Sequence, residues 1–143
     1  MTLRATIAGP PVPFARPRFD GRSGRAFQAP GYARWRSTAA LVLRAGLVER
    51  VEAGPVEVWI EAHHPRPAAR PAWMDREAWA RGDACLAVTR MDADNIAKAV
   101  LDALATAGAF ADDRQVAMLE LSSWYAPRGR DPAIQVRVAR ARA

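Results

Sequence analysis

Residues 91–104 read MDADNIAKAVLDAL, a stretch that combines an amphipathic helix with charged side chains at its start. Its apolar residues recur every three or four positions, which is the spacing of one buried helix face. They are Ile96, Val100, Ala103 and Leu104. The pattern predicts a helix from about Asp94 to Thr106, ended by Gly108, with one face packed in a core.

Carboxylates lie on both sides of this helix. Asp92 and Asp94 flank a single alanine before it, whereas Asp112 and Asp113 follow it, directly ahead of a predicted strand. Three carboxylates that meet in space repel one another unless a cation neutralises them, and oxygen ligands favour magnesium or manganese over zinc. Such an ion activates water and neutralises charge on a phosphoryl oxygen, as hydrolysis of a phosphodiester requires.

Lys98 is the only lysine among 21 cationic residues. It follows Asp94 by one helical turn, so its compact ammonium group would lie near the helix start and could stabilise a pentavalent phosphate or position the attacking water. Asn95 adds a polar group in the same turn. With Asp102 one turn further on, the charged residues form a face opposite the apolar stripe.

Ordinary structural roles account for the same residues. Asp94 alone could cap the helix, and its pairing with Lys98 could be a surface ion pair worth about 0.3–0.5 kcal/mol. Asp112 and Asp113 could belong to a turn. The Asp-x-Asp pattern also occurs in sugar-nucleotide transferases, although this sequence has no glycine loop of the kind that cradles a nucleotide. By residue chemistry alone, a metal site and these structural roles stay equally open.

The other segments predict strands around two main helices. Alternating apolar residues indicate strands near residues 3–7, 56–62, 116–125 and 133–139. Helical spacing indicates a second main helix from Gly31 to about Leu47, and a short one at 74–82. We therefore predict an α+β fold: a single domain over residues 1–143 with a mixed β-sheet and two main helices packed on it. His63 and His64 are predicted to be surface or turn residues rather than metal ligands.

Two segments are predicted to lie outside this core. Residues from about 10 to 30 are rich in proline and arginine and predict a flexible basic arm, with GRSG at 21–24 as a hairpin tip. The proline-rich residues 66–89 predict a variable loop. Residues 1–50 carry a net charge of +7, whereas the remainder carries −1. This asymmetry suggests a polyanionic partner, although the nearly exclusive use of arginine also fits compositional drift.

The composition favours a cytoplasmic globular protein. A chain of 143 residues, half of them hydrophobic, can close one core without disulfides, and it has one cysteine, Cys85. No apolar run is long enough to span a bilayer, and the start MTLRATIAGPPVPF lacks the apolar core of a secretory signal. We therefore expect no membrane partner.

The segments PVPFARPRF (11–19), MDADNIAKAVLDAL (91–104) and DDRQV (112–116) together resemble the RusA family of Holliday junction resolvases, and the likeness covers nearly the whole chain. The match is poorest at 66–89. The resemblance implies a magnesium-dependent endodeoxyribonuclease, with manganese as a possible substitute. It further implies a homodimer that resolves four-way DNA junctions by paired symmetric nicks in recombination and repair.

The resemblance also assigns roles to individual residues. It implies a catalytic set of Asp92, Asp94, Lys98 and Asp113, in which the three aspartates bind the metal, with Asn95 and Asp112 as possible supporting residues. Arginines of the arm and one beside the acids would contact backbone phosphates: Arg16, Arg18, Arg22, Arg25 and Arg90. The alternative function is that of a structure-specific DNA-binding protein without catalysis.

Overall fold

The computed structural model describes residues 1–142 and confirms the α+β prediction. Residues 1–142 form seven strands: β1 Leu3–Ala8, β2 Arg18–Asp20, β3 Arg25–Phe27, β4 Val56–His64, β5 Cys85–Leu86, β6 Val116–Tyr125 and β7 Ala133–Arg140. The helices are α1 Pro30–Ala45, α2 Arg76–Arg81 and α3 Ala93–Ala107, and a short 3₁₀ helix spans Asp113–Gln115.

The main sheet is mixed, with the strand order β1-β7-β4-β6-β5. Neighbouring strands are antiparallel except β4 and β6, which run parallel. Parallel strands need a crossover connection, and here α3 belongs to the chain segment that supplies it. The start of α3 therefore follows the end of β4, and its end precedes the beginning of β6. This topology decides where the acidic residues lie.

The core forms between the sheet and the two long helices. The apolar stripe predicted for α3 is buried throughout, and Gly108 ends the helix with a φ of 77°, a left-handed conformation that glycine adopts without strain. Alternate residues of β1, β4 and β7 join the same buried cluster as the inner faces of α1 and α3. The periodicity in the sequence thus identified the correct buried face of α3.

The basic arm contains the predicted hairpin. Strands β2 and β3 pair only with each other, and the main-chain N–H of Arg22 donates to Asp20 Oδ1 over 3.0 Å in the connecting turn. Gly24 closes the turn with a φ of 69°. The hairpin is exposed, and Phe19 in it is 71% exposed, whereas Pro11 near the start of the arm is buried.

The segment predicted as a variable loop, 66–89, has structure of its own. It contains α2, which ends at Gly82 as the sequence indicated, and β5, which extends the sheet beside β6. The Arg66 guanidinium anchors the segment: it stacks 3.8 Å from the centroid of the Trp79 ring and donates to the carbonyl oxygens of Asp83, Ala126 and Trp79. Cys85 is a free, buried thiol.

The prediction that both histidines are surface or turn residues is wrong for His64. Strand β4 continues to residue 64, two positions beyond its predicted end, and its alternation turns His64 inward. The residue is only 4% exposed, and its Nε2 lies 3.5 Å from Ser123 Oγ. Burial, and secondarily His63, lowers the pKa of His64, so the ring is neutral at physiological pH.

Candidate active site

The start of α3 presents two carboxylates to solvent. Asp92 occupies the N-cap position, but its side chain makes no capping hydrogen bond, and Asp94 lies in the first turn. The Asp94 side chain is 70% exposed. Asp94 is therefore not the N-cap, and neither carboxylate is used to satisfy the free amides of the helix. The positive end of the helix dipole favours negative charge at this position.

Lys98 lies where the sequence predicted. Its Nζ is 3.5 Å from Asp94 Oδ2, and 52% of its side chain is exposed. An exposed pair at this spacing adds little to stability, so it does not by itself explain a lysine at this position. The contact does keep the ammonium group close to the first turn of α3.

Asp112 and Asp113 have different surroundings. Asp112 forms a capping box with Gln115 on the 3₁₀ helix, and Arg114 Nε donates to its carboxylate over 3.0 Å. The hydrogen bonds from the Arg114 side chain, and then from the Arg114 main-chain N–H, lower the pKa of Asp112 well below its usual range. The turn role considered for this pair thus holds for Asp112. Asp113 is exposed.

Two cavities lie along α3, one at its start and the other beside its middle and last turns. One, of about 330 Å³, is lined by Pro13, His64, Thr89, Arg90, Met91, Asp92 and Asn95. The other, of about 310 Å³, is lined by Phe14, Lys98, Leu101, Asp102, Ala105 and Asp113. The first part of the arm passes between the two cavities, since Pro13 lines one and Phe14 lines the other. The main-chain N–H of Phe14 donates to the Asn95 carbonyl over 2.9 Å and so joins the arm to α3.

The three aspartates assigned by resemblance do not form one cluster. Within residues 1–142, no three histidine, cysteine or acidic side chains lie close enough together to hold a metal ion. In the chain, Asp92 precedes α3, whereas Asp113 follows the end of α3 by six residues. Lys98 and Asp113 nevertheless line the same cavity.

The arginines assigned to DNA are all at the surface. Those of the arm lie in the exposed hairpin or just before it. Arg90 is exposed two residues before Asp92 and lines the same cavity as Asp92. His64 lines that cavity as well, and the sequence interpretation missed it. Extending the alternation of β4 by two residues would have revealed its inward position.

Fold and site together define an α+β protein with an acidic start to its crossover helix and a basic hairpin arm. The chain belongs to the RusA family: the family model described as "Endodeoxyribonuclease RusA" matches residues 8–139. The chain is also similar to the "Uncharacterized protein YqaN" of Bacillus subtilis (strain 168). The two are 28% identical over 138 residues, which cover 95% of this chain and 94% of YqaN.

No helix among the described residues is both long and apolar enough to cross a lipid bilayer.

Proposed function

We propose that this protein is a divalent-metal-dependent endodeoxyribonuclease that resolves four-way DNA junctions as a homodimer. The observation that carries the proposal is a pair of exposed carboxylates, Asp92 and Asp94, that do not cap the helix and lie beside the only lysine in the sequence. The chain that carries them belongs to the RusA family. These residue types suit phosphodiester hydrolysis.

The carboxylates at the helix start suit magnesium, with manganese as a substitute. Magnesium is commonly bound by one or two carboxylates together with waters and substrate phosphates, rather than by a closed protein cage. Asp92 and Asp94 would supply the two carboxylates. Asp113 is proposed as a third ligand, although the three side chains do not form a metal-binding group within residues 1–142. When bound, the cation would neutralise phosphate charge and generate a nucleophilic hydroxide at neutral pH.

The other residues are proposed to act on the scissile phosphate or to support the residues that do. The Lys98 ammonium would stabilise the negative charge that develops on the scissile phosphate, because it is a compact and exposed charge near the helix start. Asn95 and Asp112 are possible supporting residues, and Asp112 would act by ordering the turn that carries Asp113. Two such sites related by a two-fold axis would match the approximate symmetry of a four-way junction and give paired nicks.

A junction-cutting assay tests the proposed activity. A synthetic four-way junction should be cut by the wild-type protein with magnesium and stay intact without it. Asp113→Asn should bind the junction and fail to cut it, since the proposed third ligand is changed without loss of any arginine. If the wild type leaves the junction uncut in magnesium and in manganese, the proposal is wrong.

The alternative is a junction-binding protein without catalysis. It is favoured by the absence of a three-ligand cluster in residues 1–142 and by the capping role of Asp112. In this case tight junction binding would be accompanied by no cutting, and Asp92, Asp94 and Asp113 could all be replaced by asparagine without consequence. The same assay therefore separates the two functions.

The arm provides a prediction about binding. Arg22→Ala should weaken binding to junction and duplex DNA alike, because Arg22 lies at the exposed hairpin tip and is proposed to bind phosphate rather than bases. The slope of log affinity against log salt should fall by about 0.9 for each phosphate that the variant no longer neutralises. Arg140→Ala is the matched control, since Glu49 already neutralises Arg140. If Arg22→Ala leaves the salt slope unchanged, Arg22 neutralises no phosphate and the arm is a solvated loop.

A further inference from the structure

Lys98 lies between two acids that could both bind it. Asp94 precedes it by four residues and Asp102 follows it by four, and side chains at this spacing are neighbours on a helix surface. The ion pair is made with Asp94, at 3.5 Å. Both Lys98 and Asp102 line the cavity that also contains Asp113, so Asp102 is close enough to compete.

Helix α1 holds Asp102 in place. The Tyr32 hydroxyl donates to Asp102 Oδ2 over 2.7 Å, and Arg36 Nη1 donates to the same oxygen over 3.4 Å. The Asp102 side chain is 31% exposed, less than half the exposure of Asp94. Asp102 is thus directed towards α1, and Asp94 is the carboxylate exposed to solvent.

Tyr32 is well suited to hold Asp102. The residue is only 5% exposed, and the Phe14 ring packs edge-on against it with 5.6 Å between ring centroids. Burial, and then the hydrogen bond to Asp102, raises the pKa of Tyr32 far above its ordinary value. The hydroxyl therefore stays protonated and acts as a donor throughout the physiological range.

We propose that Tyr32, assisted by Arg36, is a positioning residue that reserves Lys98 for the start of α3 by holding the competing carboxylate of Asp102 against α1. At this spacing the acid on the N-terminal side of a helical lysine, here Asp94, is the better partner, but only by a small margin. A released Asp102 would therefore draw the ammonium group away from Asp92 and Asp94 for a large part of the time. The catalytic consequence rests on the proposed function, but the placement of Lys98 does not.

The single lysine makes the placement measurable. Protein made with ¹³C-labelled lysine should give one side-chain Cε–Hε signal, that of Lys98. In the wild type, Asp94→Asn should shift this signal and Asp102→Asn should shift it much less. In a Tyr32→Phe background, the shift caused by Asp102→Asn should approach that caused by Asp94→Asn. If Asp102→Asn has the same small effect in both backgrounds, Tyr32 does not position Lys98.

Junction cutting provides the second measurement. Tyr32→Phe should lower kcat about twofold, because Lys98 would divide between two partners of similar strength, while junction affinity stays unchanged. Adding Asp102→Asn should restore the rate, which loss of packing would not allow. A double variant as slow as Tyr32→Phe contradicts positioning. Arg36→Met, which removes the second donor, offers an independent route if Tyr32→Phe folds poorly, and Asp102→Asn should restore its rate too. If the wild type does not cut, the proposed function fails, while the lysine signal still decides the role of Tyr32.

Discussion

Replacing Asp92 by asparagine is expected to abolish junction cutting while leaving junction binding intact. The Asp92 side chain does not cap α3, so the change removes a negative oxygen ligand without removing a hydrogen bond that the helix needs. Changes outside the direct ligands of metal sites already cost about 10- to 100-fold, and loss of a proposed direct ligand should exceed 100-fold. Cutting rate and junction affinity, measured in the same buffer with magnesium, check both parts.

Asp75→Asn is the matched control for this prediction. It makes the same acid-to-amide change at the N-cap of α2, where the Asp75 side chain accepts from the Ala78 N–H, and asparagine can also cap. Cutting should therefore stay close to the wild-type rate. Full activity in Asp92→Asn would remove this aspartate from the metal site. Loss of binding parallel to the loss of cutting would show that its charge serves DNA recognition instead.

Lys98→Arg should lower the cutting rate markedly although it preserves the charge. Lysine presents a compact ammonium group, whereas arginine presents a planar guanidinium of different reach and hydrogen-bonding geometry. A donor displaced from the developing charge of the transition state loses most of its effect, and removal of one such donor commonly costs about 10²–10³ in kcat. We expect a loss of at least about tenfold in single-turnover cutting.

Two comparisons make the Lys98 result specific. Arg140→Lys exchanges the same two residue types at a surface ion pair with Glu49, where cutting should not change. Unfolding by urea should be nearly the same for Lys98→Arg and wild type, because the Lys98–Asp94 pair is exposed and contributes little to stability. If Lys98→Arg is fully active, Lys98 has no catalytic role and only forms a surface ion pair with Asp94.

The local features of the site were predictable from the sequence. The three- and four-residue spacing in 91–104 identified both the helix and its buried face, and the same spacing placed Lys98 within reach of Asp94. Prolines and glycines in the arm indicated an exposed hairpin, which β2 and β3 form. These inferences succeed because periodicity and turn chemistry act between residues that are close in the chain.

The long-range relations were not predictable in the same way. Asp102 was assigned to a charged face, yet Tyr32, 70 residues earlier in the chain, holds it against α1. His64 was placed at the surface because the prediction ended β4 too early. The meeting of Asp113 with Asp92 and Asp94 was expected from sequence order, but within residues 1–142 the three carboxylates do not form a group close enough to hold a metal ion.

The sequence by itself determined the α+β class, the buried face of the crossover helix, the basic arm and the motifs that mark the RusA family. Only the tertiary structure decided which charged side chains share a cavity, which carboxylates act as caps, and which acid binds the single lysine. The physical reason is that helix and strand periods depend on neighbours a few residues apart. Contacts between α1, α3 and the turn before β6 depend on the strand order of the sheet, and no local pattern specifies that order.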